Sequence, residues 1–365
     1  MDIVPLFPPE FEWPENVITK IFLHLPLELL IRLILQFPEY RALFSAHQIH
    51  VDALKWRIYN YCYIRLKRGE ETVMLHIKGD LRKRRRTPRI ITMTSIEFEK
   101  YGFYRDTTQL DMCVDEDNLD SSNMELLKHL SEMLLPSLNV ANFDLRFYPI
   151  DARVSFVHCF IFKMIRRFRI LEFFQLRPKE CETNADHNLR ARRLILQYKY
   201  MQNEIEVDHL KVHFTEMPLF TEIPLRKGLD SRFMSRLYPL RTRNMTIWDT
   251  EFINLRSLLQ MECENLTVSR EEMRGSDIGA LMKAWMNGGL RKLKTFYCYS
   301  REFQIDPEGF QGIPAKPTST PPPPMFPHPE YWTRYALEII RIEDGRSANV
   351  LWYEDEFWFY IIEGN

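Results

Sequence analysis

Between Asn244 and Cys298 the sequence alternates short strand-like runs with helical ones, and no other feature of the chain restricts its fold as tightly. Met245-Thr246-Ile247-Trp248 is β-branched and aromatic in the manner of a strand, residues 252–261 carry a helical pattern, and Leu266-Thr267-Val268 forms a second strand. Residues 278–285 are a helix that begins after Ser276-Asp277, a pair able to cap it, and residues 293–297 are a third strand. Such units cannot bury their apolar faces singly. They must stack, with the strands in a parallel sheet covered by helices. Residues 190–200 are a candidate for an earlier strand of the same sheet.

From Met245 to Leu266 is 21 residues and from Leu266 to Leu293 is 27, both inside the roughly 20–29-residue period of leucine-rich repeats. The C-terminus predicts a different closure. Residues 337–343 and 347–352 are strand-like and flank Asp344-Gly345, a strong hairpin signal, and residues 357–362 add a further apolar run. Ahead of them residues 307–329 form a Pro-rich loop containing Pro321-Pro322-Pro323-Pro324. A tract of that kind suits the grooves that bind polyproline helices, although an inserted extended loop explains it as well.

The N-terminus predicts three short helices divided by prolines. Trp13-Pro14-Glu15 opens the first, since proline is favoured at the first helical position and an acid there complements the helix dipole. Val17, Ile18, Ile21, Phe22 and Leu25 make one apolar stripe, and Leu25-Pro26 ends it. Residues 27–36 are apolar around most of their circumference, so that helix must be covered on more than one side, with another protein as one possible cover. Phe37-Pro38 breaks it and Pro38-Glu39 starts the third helix.

At these positions the chain resembles the F-box, in Trp13-Pro14-Glu15, Val17-Ile18, Ile21-Phe22, Leu25, Leu29-Leu30 and Tyr40-Arg41, with Trp13 where the pattern has Leu and Tyr40 where it has Trp. Farther on, Leu281-Met282-Lys283-Ala284-Trp285-Met286-Asn287-Gly288-Gly289, then Leu290-Arg291-Lys292-Leu293 and the Asp344-Gly345 hairpin, are similar to the F-box-associated domain of nematode-type F-box proteins. In the residues themselves, Asn287-Gly288 is suited to end a helix in the left-handed conformation, and Trp285 then falls in the core.

The resemblance implies a mixed α/β chain: a small N-terminal helical F-box-like segment at 10–55, then a recognition domain at 56–365 that is leucine-rich-repeat-like and closed by a C-terminal β-hairpin. It implies a substrate-recognition subunit of a Skp–cullin–F-box ubiquitin ligase. Pro14, Val17, Ile18, Ile21, Leu29, Leu30 and Tyr40 would contact a Skp-type adaptor within the cullin complex, the C-terminal domain would hold an unknown target protein, and transfer chemistry would belong to partners. The alternative is a protein-interaction module with no ligase role, its helices only capping the sheet. A third class, a hydrolase, needs a base beside a nucleophile in a pocket.

Few features argue for chemistry in this chain. Phosphate-cradling glycine loops, the Gly-x-Ser-x-Gly elbow and HExxH are all missing, and twelve glycines in 365 residues leave little room for such loops. The expectation is a chain that is not an enzyme and uses no cofactor. His209 and His213 have helical metal-ligand spacing without the glutamate of a zinc protease. The acidic run at 115–123 lacks the glycine and distal glutamate of a calcium loop, so it is assigned to a turn ahead of a helix at 124–135, with Ser122 and Glu125 placed as a capping box.

A formal charge of −1 gives no field for nucleic acid. The six basic residues between Arg82 and Arg89 are expected in a solvated loop, with nuclear import or RNA contact as the alternative. Of the runs 154–162 and 168–176, at least one is expected to be a buried strand or helix beside a cationic surface, and residues 58–64, 72–77 and 89–93 are expected to be strands or extended segments. The six cysteines are scattered without disulfide or zinc spacing, the first residues lack a signal peptide, and the apolar run 21–35 is too short to span a bilayer. A cytoplasmic or nuclear protein with no membrane partner is the expectation.

Overall fold

A computed structural model describes residues 14–58, 62–78, 90–99, 102–110, 123–147, 159–175, 198–199, 201–214, 240–248, 255–269, 275–299, 311–323, 326, 329–353 and 355–362. The chain is mixed α/β and falls into two compact units, Met1–Arg146 and Phe147–Asn365. The basic run at 82–89, Ser122 and the acidic run ahead of it lie outside the described residues.

Three helices open the first unit: α1 (Glu15–His24), α2 (Leu27–Gln36) and α3 (Pro38–Ala46). Prolines punctuate them as the sequence implies, with one adjustment. Pro14 and Pro26 stand just outside α1 and α2 in the extended conformation, and only Pro38 is the first helical residue. The Pro14 carbonyl accepts the Val17 and Ile18 amides, so the proline starts the hydrogen-bond ladder without needing an amide of its own.

Strands β1 (Ile49–Val51), β2 (Ala53–Ile58), β3 (Cys62–Arg68), β4 (Glu71–Lys78), β5 (Ile90–Glu99) and β6 (Gly102–Leu110) follow. Helix α4 (Asn123–Leu134) leads to β7 (Leu138–Val140) and β8 (Phe143–Phe147). β2 to β6 form an antiparallel meander with β8 on the other side of β2, and β1 pairs in parallel with β7. Period-two alternation sends Leu54, Trp56, Ile64, Leu66, Val73 and Leu75 to one buried face. Trp56 Nε1 donates to Ser131 Oγ at 2.9 Å, and Ser131 donates back to the Leu127 carbonyl at 2.7 Å, which ties α4 to β2.

The all-round apolar character of α2 is answered within this unit, because the helix packs against α3, α4 and β4. Arg68 reaches the carbonyls of Phe22 and Leu25 at the end of α1, while its ion partner Glu71 accepts the Leu27 amide at the start of α2. Arg41 caps the other end of α2 through the Ile34 carbonyl at 3.0 Å. The β3–β4 turn thereby holds the α1–α2 junction. The three helices share this unit with β1 to β7, and residue 55 lies in β2.

The second unit contains α5 (Ile161–Met164), β9 (Arg167–Gln175), β10 (Glu206–Phe214), β11 (Asn244–Trp248), α6 (Leu255–Leu258), β12 (Asn265–Ser269), α7 (Gly275–Met286) and β13 (Thr295–Tyr299). It ends with β14 (Ala315–Pro317), α8 (Pro329–Tyr335), β15 (Leu337–Ile340), β16 (Ser347–Tyr353) and β17 (Glu356–Ile361). β9 to β13 run parallel in chain order, and β17, β16, β15 and β14 extend the sheet antiparallel from β13. The alternation of strand and helix over β11–β13 is as expected.

Five local expectations are refined or changed. Tyr198 and Lys199 are helical, so the end of 190–200 is not a strand; buried Tyr198 packs edge-on to Phe173 and donates to the Arg241 carbonyl at 3.0 Å. The helix expected at 252–261 is described only as the single turn α6, followed by a turn that buries Met261. Between 154 and 162 the described end is a helical turn, whereas 168–176 gives β9. The hairpin strand stops at Ile340, and the link from Arg341 to Arg346 turns with Gly345 at φ 71°. The Pro-rich stretch carries an edge strand, β14, and the start of α8.

Candidate functional site

The β10–β13 sheet has two unlike faces. Leu210, Val212, Met245, Ile247, Leu266, Val268, Phe296 and Cys298 are buried on one, where α7 packs Trp285 edge-on to Phe359 of β17 at 5.2 Å. The opposite face is polar and aromatic. Across it the register aligns Lys211, Thr246, Thr267, Tyr297 and Trp358 in one row, and His213, Trp248, Ser269, Tyr299 and Glu356 in the next. Most of these side chains are half-buried, and Trp248 is 43% exposed.

Specific contacts fix this face. Glu356 accepts from Tyr297 Oη at 3.0 Å and from Trp358 Nε1 at 2.9 Å, and the two rings lie 4.3 Å apart. Burial, then the bond to Glu356, raises the Tyr297 phenol above its ordinary pKa, so it stays a protonated donor. His213 pairs with Glu172 at 3.5 Å and meets Trp248 edge-on at 4.0 Å. His209 Nε2 lies 2.8 Å from Thr246 Oγ1. Burial, then Lys211, lowers the His209 pKa against the opposing pull of Glu172, which favours the neutral ring.

Toward β16 the face is covered. Phe326, Trp332, Ala336 and Leu351 form a small core with Trp358 against it, and Trp332 Nε1 donates to the Thr320 carbonyl at 2.9 Å. The segment before the hairpin is thus a strap laid over β16 and β17. At the other end of the strands the edge is a charge ladder: Glu262 lies between Arg241 and Lys292, and Glu264 between Arg243 and Lys294. Asn265 donates to Asn244 at 2.7 Å and accepts from Thr295 at 2.6 Å in the adjacent row. The sequence signal for this edge is Arg-x-Arg-Asn, Glu-x-Glu-Asn and Lys-x-Lys-Thr before successive strands, a motif that strand and helix patterning alone passes over.

Behind β13, α7 ends as Asn287-Gly288 implies. Gly288 has φ 85°, its amide bonds to the Trp285 carbonyl at 3.0 Å, and the Gly289 amide reaches the Ala284 carbonyl at 2.9 Å, the paired bonds of a Schellman end. Trp285 is buried, and the guanidinium of buried Arg341 lies over its ring at 5.8 Å.

The seven residues expected to meet an adaptor are placed unevenly. Pro14 is exposed, Val17, Ile21 and Leu29 are half-buried, and Ile18, Leu30 and Tyr40 are buried inside the first unit. Leu23, which the sequence pattern does not single out, is 67% exposed on α1. Its signal is an apolar residue one place off the buried stripe of Phe22 and Ile18.

His209 and His213 sit two residue-pairs apart on β10, each engaged as described, and no group of three metal-ligating side chains occurs among the described residues. No described helix is long and apolar enough to cross a membrane. The family model described as F-box associated matches residues 235–298, the stretch that carries β11, β12, α7 and β13. No curated protein and no solved structure matches the chain.

Proposed function

We propose that this chain is a substrate-recognition subunit of a Skp–cullin–F-box ubiquitin ligase, which holds its target on the second unit and leaves transfer chemistry to its partners. The observation that carries the reading is the F-box associated match at 235–298, which spans β11 to β13, three of the strands that build the open polar and aromatic face. On this reading the Skp-type adaptor docks on the accessible side of α1 and α2, through Pro14, Val17, Ile21, Leu23 and Leu29, and Ile18, Leu30 and Tyr40 act by holding those helices in place.

The second reading, an interaction module with no ligase role, is favoured by one observation: Arg68 and Glu71 fasten the α1–α2 junction to the meander, as a structural layer would require. Co-purification of the full chain with a Skp-type adaptor separates the two. Capture comparable to that of an established F-box protein supports the ligase reading, and no capture under conditions where that control binds leaves the interaction module.

A further inference from the structure

Lys211 stands apart from the other cations of the second unit's sheet. Arg241, Arg243, Lys292, Lys294, Lys316 and Arg341 each face a carboxylate. Lys211 has no ion pair among the described residues, although it is half-buried in mid-strand on the open face. Its cross-strand neighbour Glu172 is buried and turned to His213, and the Thr246 hydroxyl on the other side meets His209. A half-buried ammonium with no direct ion pair gains from an incoming carboxylate that makes one.

Beside it the face is shaped. Thr267 and Ser269 of β12 are small, while their register partners are Thr246 and Trp248 on β11 and Tyr297 and Tyr299 on β13. With strands about 4.8 Å apart, Trp248 on one side and Tyr297 and Tyr299 on the other stand about 10 Å apart over a hydroxyl floor, and buried Thr246 leaves the Trp248 side low toward Lys211. Trp248 is held edge-on by His213 with nearly half its surface open.

We infer that this trough takes an extended acidic peptide segment, one carboxylate meeting Lys211 and an apolar side chain lying against Trp248 above Thr267 and Ser269. A peptide fits better than a nucleic acid, because phosphate chains need several cations, whereas Lys211 stands beside the carboxylate Glu172 with Glu356 in the next row. That the segment belongs to a ligase target rests on the function proposed above; the chemistry of the trough does not.

The test uses the full chain and two fluorescein-labelled peptides, Glu-Leu-Glu-Phe-Glu-Leu and its counterpart with Lys for Glu, read by anisotropy. The acidic probe should bind about tenfold or more tightly than the basic one, Lys211→Glu should reverse that preference, and Trp248→Ala should weaken the acidic probe about tenfold. Lys283→Ala, on the exposed side of α7, serves as the control and should change nothing. Equal binding of both probes, indifference to Lys211→Glu in a chain with an unchanged melt, or tighter binding of a single-stranded oligonucleotide would each overturn the inference. So would a self-associated form that Lys211→Glu disperses. Adaptor capture is scored separately on the unsubstituted chain: no capture there, with the peptide preference present, removes the ligase reading and leaves the trough.

Discussion

Gly288→Ala tests the end of α7, the helix that backs the open face. At φ 85° an alanine is strained by about 1 kcal/mol, the ordinary cost of the left-handed conformation for a residue with a β-carbon. A β-carbon there would also collide with the Glu343 carboxylate. That carboxylate pairs with Arg291 at 2.8 Å and with buried Arg341 at 3.3 Å, and once it moves Arg341 keeps the farther Asp344 at 3.7 Å. Because Glu343 is itself 45% exposed, solvent screens part of the loss, and about 1–2 kcal/mol is a fair further cost. The expected destabilisation is about 2–3 kcal/mol in all.

Gly345→Ala is the matched control, since φ is 71° but a β-carbon meets nothing within 4 Å, so about 1 kcal/mol is expected. Urea unfolding followed by tryptophan fluorescence reads both midpoints. Equal losses in the two variants would refute the role given to Glu343 and Arg341.

Three further outcomes follow from particular contacts. Arg68→Met should cost about 2 kcal/mol by leaving the Phe22 and Leu25 carbonyls and Glu71 without their cation, and a denaturation midpoint equal to that of the unsubstituted chain would remove the clamp at the α1–α2 junction. The folded pKa of His209 lies below its ordinary 6.5, so the unfolded chain binds the extra proton. Its contribution is complete above about pH 6.5 and is lost as the pH falls toward the folded pKa. His209→Gln should therefore flatten part of the stability loss between pH 7 and 5, and identical pH profiles would contradict this. Burial pushes the Cys263 thiol up to about 12, so in the native chain at pH 8 it should resist a disulfide reagent that labels it readily in urea, with mass mapping as the readout.

Local signals set the elements, and distant pairing set what those signals leave open. Pro14, Pro26 and Pro38 mark helix boundaries because a proline's constraint acts on its own turn. Asn287-Gly288 marks the end of α7 for the same reason. Leu27, Leu30, Ile31, Leu33 and Ile34 required that α2 be covered, yet nothing local says that α4 and β4 do the covering. Tyr198 misled because an aromatic, β-prone run is indifferent to whether it fills a strand or packs a helical turn onto Phe173.

The open face was legible as strands but not as a site. Period-two alternation places Thr246, Thr267 and Tyr297 together only once the register of three separate strands is known. Exposed Leu23 was missed because its neighbour Phe22, stacked on Phe44 at 4.6 Å, carries the pattern.

The central claim is that this chain joins an adaptor to a target, and the most direct measurement is light scattering on the purified full chain mixed with a Skp-type adaptor. A one-to-one complex that Leu23→Asp abolishes without moving the thermal melt is the predicted result. No complex, beside an established F-box protein that forms one, would contradict it.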